Sequence, residues 1–395
     1  MNSNSTVVFE ALFYISAVLL LYAYAGYPAL LGLLAGFAPR KEISAPPFES
    51  VAVTLFISAY NESSVIGQKL ENSLALDYPK ELLEIIVVSD CSDDGTDEIV
   101  LPYTQPGVRL VRQNERRGKT AGLNLAVPQA KGHILVFSDA NALYRPDAIR
   151  HLVRHFSDPQ VGYVVGNARY AEKRLATQAA EAEGLYWKLE TWLKKKESAF
   201  YSVVGGDGAI YAIRSELYTP LLPTDINDFL NPLQIIDRGY FGVFEPAAIS
   251  CEEAAGSFRK EFRRRVRIIS RSLTAVRRAA GILNPLRHTR HWFLLVSHKL
   301  LRWYAPFLMI TVLFSSVMLW GLPFFRAALL LQVAFYAMAV LGGVLQERKK
   351  NWRLLSVAFY FCLVNIASLV GCFKYVRGDL SGTWTTPRQK IPSKA

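Results

Sequence analysis

Three polar clusters hold the residues best equipped for chemistry, and each follows an apolar run: Ser58-Ala59-Tyr60-Asn61-Glu62, Ser89-Asp90-Cys91-Ser92-Asp93-Asp94-Gly95-Thr96 and Ser138-Asp139-Ala140-Asn141. Oxygens of Asp, Glu and Asn can hold a hard divalent cation or accept hydrogen bonds from a hydroxyl-rich ligand. Any single cluster could be a helix cap, because Asp, Ser and Asn are ordinary caps. Three on one edge of one sheet are better explained by a shared polar ligand.

The runs that carry these clusters alternate in period. "VAVTLFISAY", "LEIIVVSD", "VRLVRQN" and "HILVFSDA" read as strands, while "SVIGQKLENSLAL", "DGTDEIVLPY" and "KTAGLNLAVPQA" between them read as helices. This alternation predicts an α/β fold: a parallel sheet covered by helices, its strands almost continuously apolar because both faces are buried. Ligands of such sheets bind beyond the carboxyl ends of the strands, where all three clusters fall.

The chain also carries membrane character. Its 395 residues are 51% apolar, with a mean hydropathy of +0.17, high for a wholly soluble protein. Residues 7–37 contain one charged side chain, Glu10, over more than the roughly 20 residues needed to cross a bilayer. Without a basic start or a small-residue cleavage site, the segment reads as a retained helix bent near Gly26 and Pro28. Further apolar runs follow at 304–320, 327–345 and 354–373. Arg40, Lys41, Arg290, Lys299, Arg302 and the "ERKKNWR" loop flank these runs on one side, which places the middle domain in the cytoplasm and the N-terminus outside. The same count puts the basic tail after Phe373 outside, so its side stays open.

Cys91, Cys251, Cys362 and Cys372 are scattered and form no C-x-x-C, which predicts reduced, structural thiols. His151 and His155 stand four apart without the glutamate of a metalloprotease helix, and a solvated helix face explains them equally well.

Taken in order, "SAYNE", "ALDYPKELLEIIVVSDCSDDGTDE", "RRGKTAGLN", "VFSDANAL", "GLYWKLETWLKKKES", "VGGDGAIYAIR", "DINDFLNPLQIIDRGYFGVFEP" and "EFRRRVRI" resemble the inverting family 2 glycosyltransferases, especially their cellulose-synthase-like membrane branch. The resemblance covers roughly residues 51–271. It implies a glycosyltransferase A catalytic domain, Rossmann-like with a mostly parallel sheet, at 41–257. An N-terminal transmembrane helix precedes it at 1–40, basic amphipathic interfacial helices follow at 258–303, and a transmembrane bundle and tail close the chain at 304–395. It also implies sugar transfer from a nucleoside diphosphate donor, UDP foremost, to a lipid-linked saccharide or exopolysaccharide, with Mg2+ or Mn2+ as cofactor, at the inner membrane.

Residue by residue, Tyr60, Glu62 and Asp90 match the positions that hold the base and ribose of the donor. Asp90 could equally cap the following turn. Lys119 matches a lysine beside the diphosphate. Asp139 and Asn141 match the D-x-D that meets ribose and metal, Asn141 offering an uncharged carbonyl oxygen in place of the second carboxylate. An inverting enzyme needs a base for the acceptor hydroxyl. Asp228 is the match for it and Asp225 the reserve, although both could instead cap a helix beginning near Phe229.

"VVGGDGAIYAIR" reads as a strand and a glycine-rich turn whose bare backbone lets an acceptor approach, with Gly206, Asp207 and Gly208 as acceptor-binding residues. Trp187 and Trp192 suit core or interfacial anchors better than sugar stacking.

Residues 258–278 place Phe258, Phe262, Val266, Ile269, Leu273 and Val276 on one helical stripe among nine cations, the pattern of a helix lying in the headgroup layer. Its place before apolar runs argues against nucleic acid. The family's Q-x-x-R-W overlays Arg264 to Ile268, keeping Arg267 for the diphosphate but replacing the tryptophan. That loss favours transfer of one or few sugars, with Trp292 or Trp303 as substitutes. "GTWTTPR" in the tail is faintly similar to the gating segments of processive synthases. Processive synthesis with export, through a partner or a homo-oligomer, is one alternative; a non-catalytic membrane scaffold is the other.

Overall fold

The computed structural model describes residues 3–38, 51–105, 107–170, 178–252, 258–347 and 352–380. One eight-stranded sheet forms its centre, with strands β1 (Val53–Ala59), β2 (Leu83–Ser89), β3 (Val108–Arg112), β4 (Ile134–Asp139), β5 (Leu143–Tyr144), β6 (Val161–Tyr170), β7 (Tyr211–Arg214) and β8 (Phe241–Glu252) in the order β3-β2-β1-β4-β7-β6-β8-β5. The first four in that order are parallel and β6 runs parallel to β8; β7 is antiparallel to both its neighbours, and β5 to β8.

All of β1 is buried, with Val53, Leu55 and Ile57 in one core and Phe56 in the other. A strand covered on both faces is apolar at most positions, here with Thr54 and Ser58 as buried exceptions, which is why the alternation of a half-exposed strand is missing. Register does the functional work. Ser58 lies beside Asp139 and Ala59 beside Ser89, so the three polar clusters leave the sheet together at one edge. In the glycine-rich stretch the strand follows the turn, at Tyr211–Arg214.

Among the described residues, four helices are long and apolar enough to cross a membrane: Ser3–Phe37, Thr289–Met318, Pro323–Leu345 and Arg353–Arg377. The first contains a π-helical turn at Tyr22–Gly26 and the second one at Val296–Leu300. The two irregularities face each other, Tyr22 Oη lying 2.9 Å from Ser297 Oγ. The expected irregularity near Gly26 is thus a π turn, two residues before Pro28, whose missing N–H removes one rung of the continuous Ser3–Phe37 helix. The spans are not a separate body: Tyr27, Leu31, Leu294 and Leu295 share a core with Phe56, Phe137 and Tyr211 of the sheet. Arg40, Lys41, most of the "ERKKNWR" loop and the "GTWTTPR" stretch lie outside the described residues.

Candidate active site

Beyond the carboxyl ends of β1 and β4 the chain encloses a cleft of about 1050 Å³. That is at the upper end of the roughly 300–1,000 Å³ of a site for one small ligand. Glu62, Lys119, Asp139, Asn141, Gly206, Asp207, Gly208, Asp225, Asp228 and Arg267 all line it. Of the anticipated site residues, Tyr60 and Asp90 stand apart from its wall.

Asp228 lies in the first turn of the Asn227–Asp237 helix, against the glycine turn. Gly205 adopts φ +82°, and a Cβ on Gly206 would lie 2.6 Å from the Asp228 carbonyl oxygen. Only glycine permits both. From the position a Cβ would take on Gly208, Asp228 Oδ2 is 3.1 Å away and Asp139 Oδ2 is 3.6 Å away, so the two carboxylates converge there. Asp228 Oδ1 is buried with no hydrogen-bond partner among the described residues. Burial pushes this carboxyl up to about 6; Lys119 opposes the shift, and Asp207 and Asp139 add to it. A carboxylate poised there can accept a proton near neutral pH.

Asp225 has different surroundings. It has no exposed surface, and its Oδ2 accepts the Leu222 N–H at 2.6 Å and ion-pairs with Arg278. Neither aspartate caps the helix, whose N-cap is Ile226 without a side-chain bond.

Asp90 anchors a loop. Its Oδ1 accepts from Gln113 Nε2 at 2.7 Å and from the N–H groups of Arg117 and Gly118 at 2.9 Å each, just before the Lys119–Ala126 helix. Burial raises its pKa, and the Gly118 and Arg117 bonds hold it back. That oxygen therefore holds a loop distant in sequence rather than the turn that follows Asp90, and its consequence is to aim Lys119, whose Nζ meets Asp139 Oδ1 at 2.5 Å. Tyr60 packs its ring under the Arg116 guanidinium, 3.8 Å away.

The Phe258–Arg278 helix corrects an expectation. Val266, Ile269, Leu273 and Val276 of its stripe are buried, Ile269 and Leu273 packing against Cys372 of the last span, and Lys260, Arg263, Arg264, Arg265, Arg267 and Arg271 line the cleft. Burial lowers the Arg267 pKa, with Asp139 opposing. Trp187 lines the cleft, while Trp192 is half-exposed beside Gly32 of the first span. Sequence reasoning missed Glu252, which the cleft places near Asp139 and Asp207; β8 ends on it, so the strand-end rule would have found it. It also missed Lys194, which pairs with Asp207 at 3.0 Å.

Residues 54–214 match the family model for glycosyl transferase family 2. Over these residues the chain is similar to a family 2 glycosyltransferase domain. The chain is 29% identical over 228 residues to the probable glycosyltransferase YdaM of Bacillus subtilis (strain 168), 54% of each chain. It is 35% identical over 127 residues to the poly-beta-1,6-N-acetyl-D-glucosamine synthase of Staphylococcus aureus (strain COL), 32% of this chain and 30% of that one. The chain therefore spans about half, or less, of the length of the curated relatives it matches. Its fold is similar to the mannosyltransferase PcManGT from Pyrobaculum calidifontis, solved with GDP-Man and Mn2+, with TM-score 0.69 and 23% identity over 92% of this chain and 99% of that one. That likeness is one of fold, a glycosyltransferase A-like α/β architecture. Asp225, Asp228, Glu252 and Arg267 lie beyond the stretch matched to the family 2 model.

The cleft wall offers a divalent ion carboxylate and amide oxygens. Asp139 and Asn141 both face the cleft, although among the described residues no three His, Cys, Asp or Glu side chains form a ready metal cluster. Burial, with Asp139 and Asp207 adding, pushes the Glu252 carboxyl well up. Asp139 and Asn141 supply oxygens that suit a hard cation arriving with a diphosphate.

Proposed function

We propose that the protein is a membrane-bound, inverting glycosyltransferase that moves a sugar from a nucleoside diphosphate donor, a UDP-sugar foremost, to a lipid-linked saccharide or exopolysaccharide. The observation that carries this reading is Asp228: a carboxylate pushed up to about 6, with one buried oxygen lacking a partner, in the same cleft as Lys119 and Asp139.

In the transfer, Asp228 takes the proton of the acceptor hydroxyl as its oxygen forms a bond to the anomeric carbon. The bond from that carbon to the diphosphate oxygen breaks on the opposite face, which inverts the centre. Lys119 and Arg267 face the charge that grows on the departing diphosphate. A Mg2+ or Mn2+ ion, held by Asp139 and the Asn141 side-chain carbonyl, would neutralise part of that charge. Glu62 contributes to donor binding from the wall, Tyr60 and Asp90 through the loop that aims Lys119. Gly206, Asp207 and Gly208 form the acceptor side. Asp225 serves as a structural anchor.

The apolar helices and the cations beside them favour a multi-pass protein of the inner membrane with its catalytic domain in the cytoplasm. Its partners are the donor, the acceptor and membrane lipids. Trp303 lines the cleft and packs edge-on against Phe229 at 5.7 Å, which keeps a processive reading in view because an aromatic platform stands near the base.

The test is incubation of purified protein with radiolabelled UDP- and GDP-sugars and Mn2+ or Mg2+. Turnover lost in Asp139→Ala and Asp228→Ala supports the transferase. No nucleotide binding and no turnover with any donor leaves the scaffold reading, and a product ladder replaces single transfer with processive synthesis.

A further inference from the structure

The cleft does not stop at the catalytic carboxylates. Tyr24, Val357, Phe361 and Val364, all on spans, belong to the same wall. Tyr24 donates to Asn365 Oδ1 at 3.1 Å and packs its ring, tilted, against Phe361 with centroids 5.0 Å apart, joining the first span to the last at this end.

Between the two ends stands a cationic group with more charge than its carboxylate answers. Glu190 accepts from Arg302 Nη1 at 2.7 Å and from Lys299 Nζ at 3.1 Å, and His298 Nε2 lies 3.2 Å away. The neighbouring Glu197 is occupied by Tyr27 Oη at 2.8 Å and His298 Nδ1 at 2.5 Å. Arg302 is left with Nε and Nη2 buried and without a hydrogen-bond partner among the described residues. Those two N–H groups form the edge of a guanidinium that grips an oxyanion through two parallel bonds. A buried, unfilled fork costs free energy unless a ligand satisfies it.

We infer that this fork takes the phosphate of an isoprenoid-type lipid phosphate, whose hydrocarbon chain lies along Tyr24, Phe361 and Val364. An anion site flanked by side chains of spans suits an amphiphile with a phosphate head. The donor diphosphate has its own cations, Lys119 and Arg267, beside Asp139. The inference rests on the transferase reading for the statement that this lipid phosphate carries the acceptor saccharide whose hydroxyl Asp228 deprotonates, but its binding can be measured without turnover.

The experiment is calorimetric titration of the full chain in detergent with farnesyl diphosphate, inorganic pyrophosphate, UDP and GDP. Farnesyl diphosphate is expected to bind at least about tenfold tighter than pyrophosphate, because buried methylene groups add affinity. Arg302→Lys keeps the charge opposite Glu190 but removes the fork. It is expected to weaken farnesyl diphosphate about tenfold and leave nucleotide affinity within about twofold. Val364→Trp fills the apolar end and should weaken farnesyl diphosphate alone. Equal weakening of nucleotide by Arg302→Lys would overturn the inference by giving the fork to the donor. Farnesyl diphosphate binding no better than pyrophosphate, or untouched by Val364→Trp, would leave an anion pocket without a lipid and overturn it too. In either case nucleotide bound by the wild type leaves the transferase reading standing. A melting curve for each variant identifies loss of fold.

Discussion

The Gly206 N–H donates to the main-chain carbonyl of Asp228 across 2.5 Å, so the glycine turn and the first turn of the Asn227–Asp237 helix move as one unit. A methyl group on Gly206 would meet that carbonyl and stand 3.3 Å from the Tyr211 ring. Gly206→Ala must therefore displace the Asp228 carboxylate. Since a displacement of about 1 Å can cost about 100-fold in rate, kcat is expected to fall by that order while donor binding persists. Steady-state kinetics with a melting curve checks it; an unchanged kcat would mean that the turn does not set the carboxylate.

Asp228→Asn is expected to lower kcat by about 10² to 10⁴-fold, the usual contribution of a positioned base. In the wild type, kcat/KM should rise as pH passes about 6, where Asp228 ionises, and then level. The stability effect has the opposite sense. The folded pKa exceeds the unfolded value of 3.8, so the folded state keeps a proton that the unfolded chain has lost, and stability falls as pH climbs from about 4 to about 6. Asp228→Asn should therefore be more stable than wild type at pH 7.5, by about 1–3 kcal/mol. Equal melting temperatures at that pH would argue against the raised pKa.

Asp225→Asn should show the reverse pattern. It removes the fully buried partner of Arg278, at a cost of about 2–4 kcal/mol, while the folded fraction keeps most of its turnover. A large loss of kcat with an unchanged melting temperature would instead make Asp225 the base.

Outside the cleft wall, Glu245 is a test of acid stability. Burial alone would raise its carboxyl, but bonds from His155, the Ala247 N–H and Arg154 hold it at about 2, against 4.5 unfolded. The stability it contributes is complete above about 4.5 and is lost as pH falls towards about 2, to the extent of about 3 kcal/mol. Glu245→Gln should melt lower at pH 7 and lose less than wild type between pH 5 and 3. Parallel melting curves across that range would reject the assignment.

Metal dependence should follow the neutral ligand. Asn141→Asp restores a second carboxylate, and added ligand charge tightens divalent binding. Half-maximal activation is expected at about tenfold lower Mn2+, and EDTA should silence the wild type at lower concentration than the variant. No shift in the activation curve would remove Asn141 from the metal site.

Much of this molecule is determined locally. The apolar runs 55–57, 85–88 and 134–137, the polar residues that follow each run and the four long apolar helices among the described residues are all properties of a few consecutive residues, because strand and span propensities depend on near neighbours. Other features needed the tertiary structure. The stripe and cations of residues 258–278 describe an amphipathic helix equally well on a lipid surface or over a cleft, and only packing against the last span turned Arg267 and Arg271 toward Asp139 and Asp228. Asp225 and Asp228 are equivalent by spacing; Arg278, 53 residues after Asp225, distinguishes them. Glu252 and the Arg302 fork gain their chemistry from burial among groups far away in sequence. Periodicity reports which face of an element is apolar, whereas the partner that covers the face, and so the charge state and direction of each polar group, is set by contacts between distant segments.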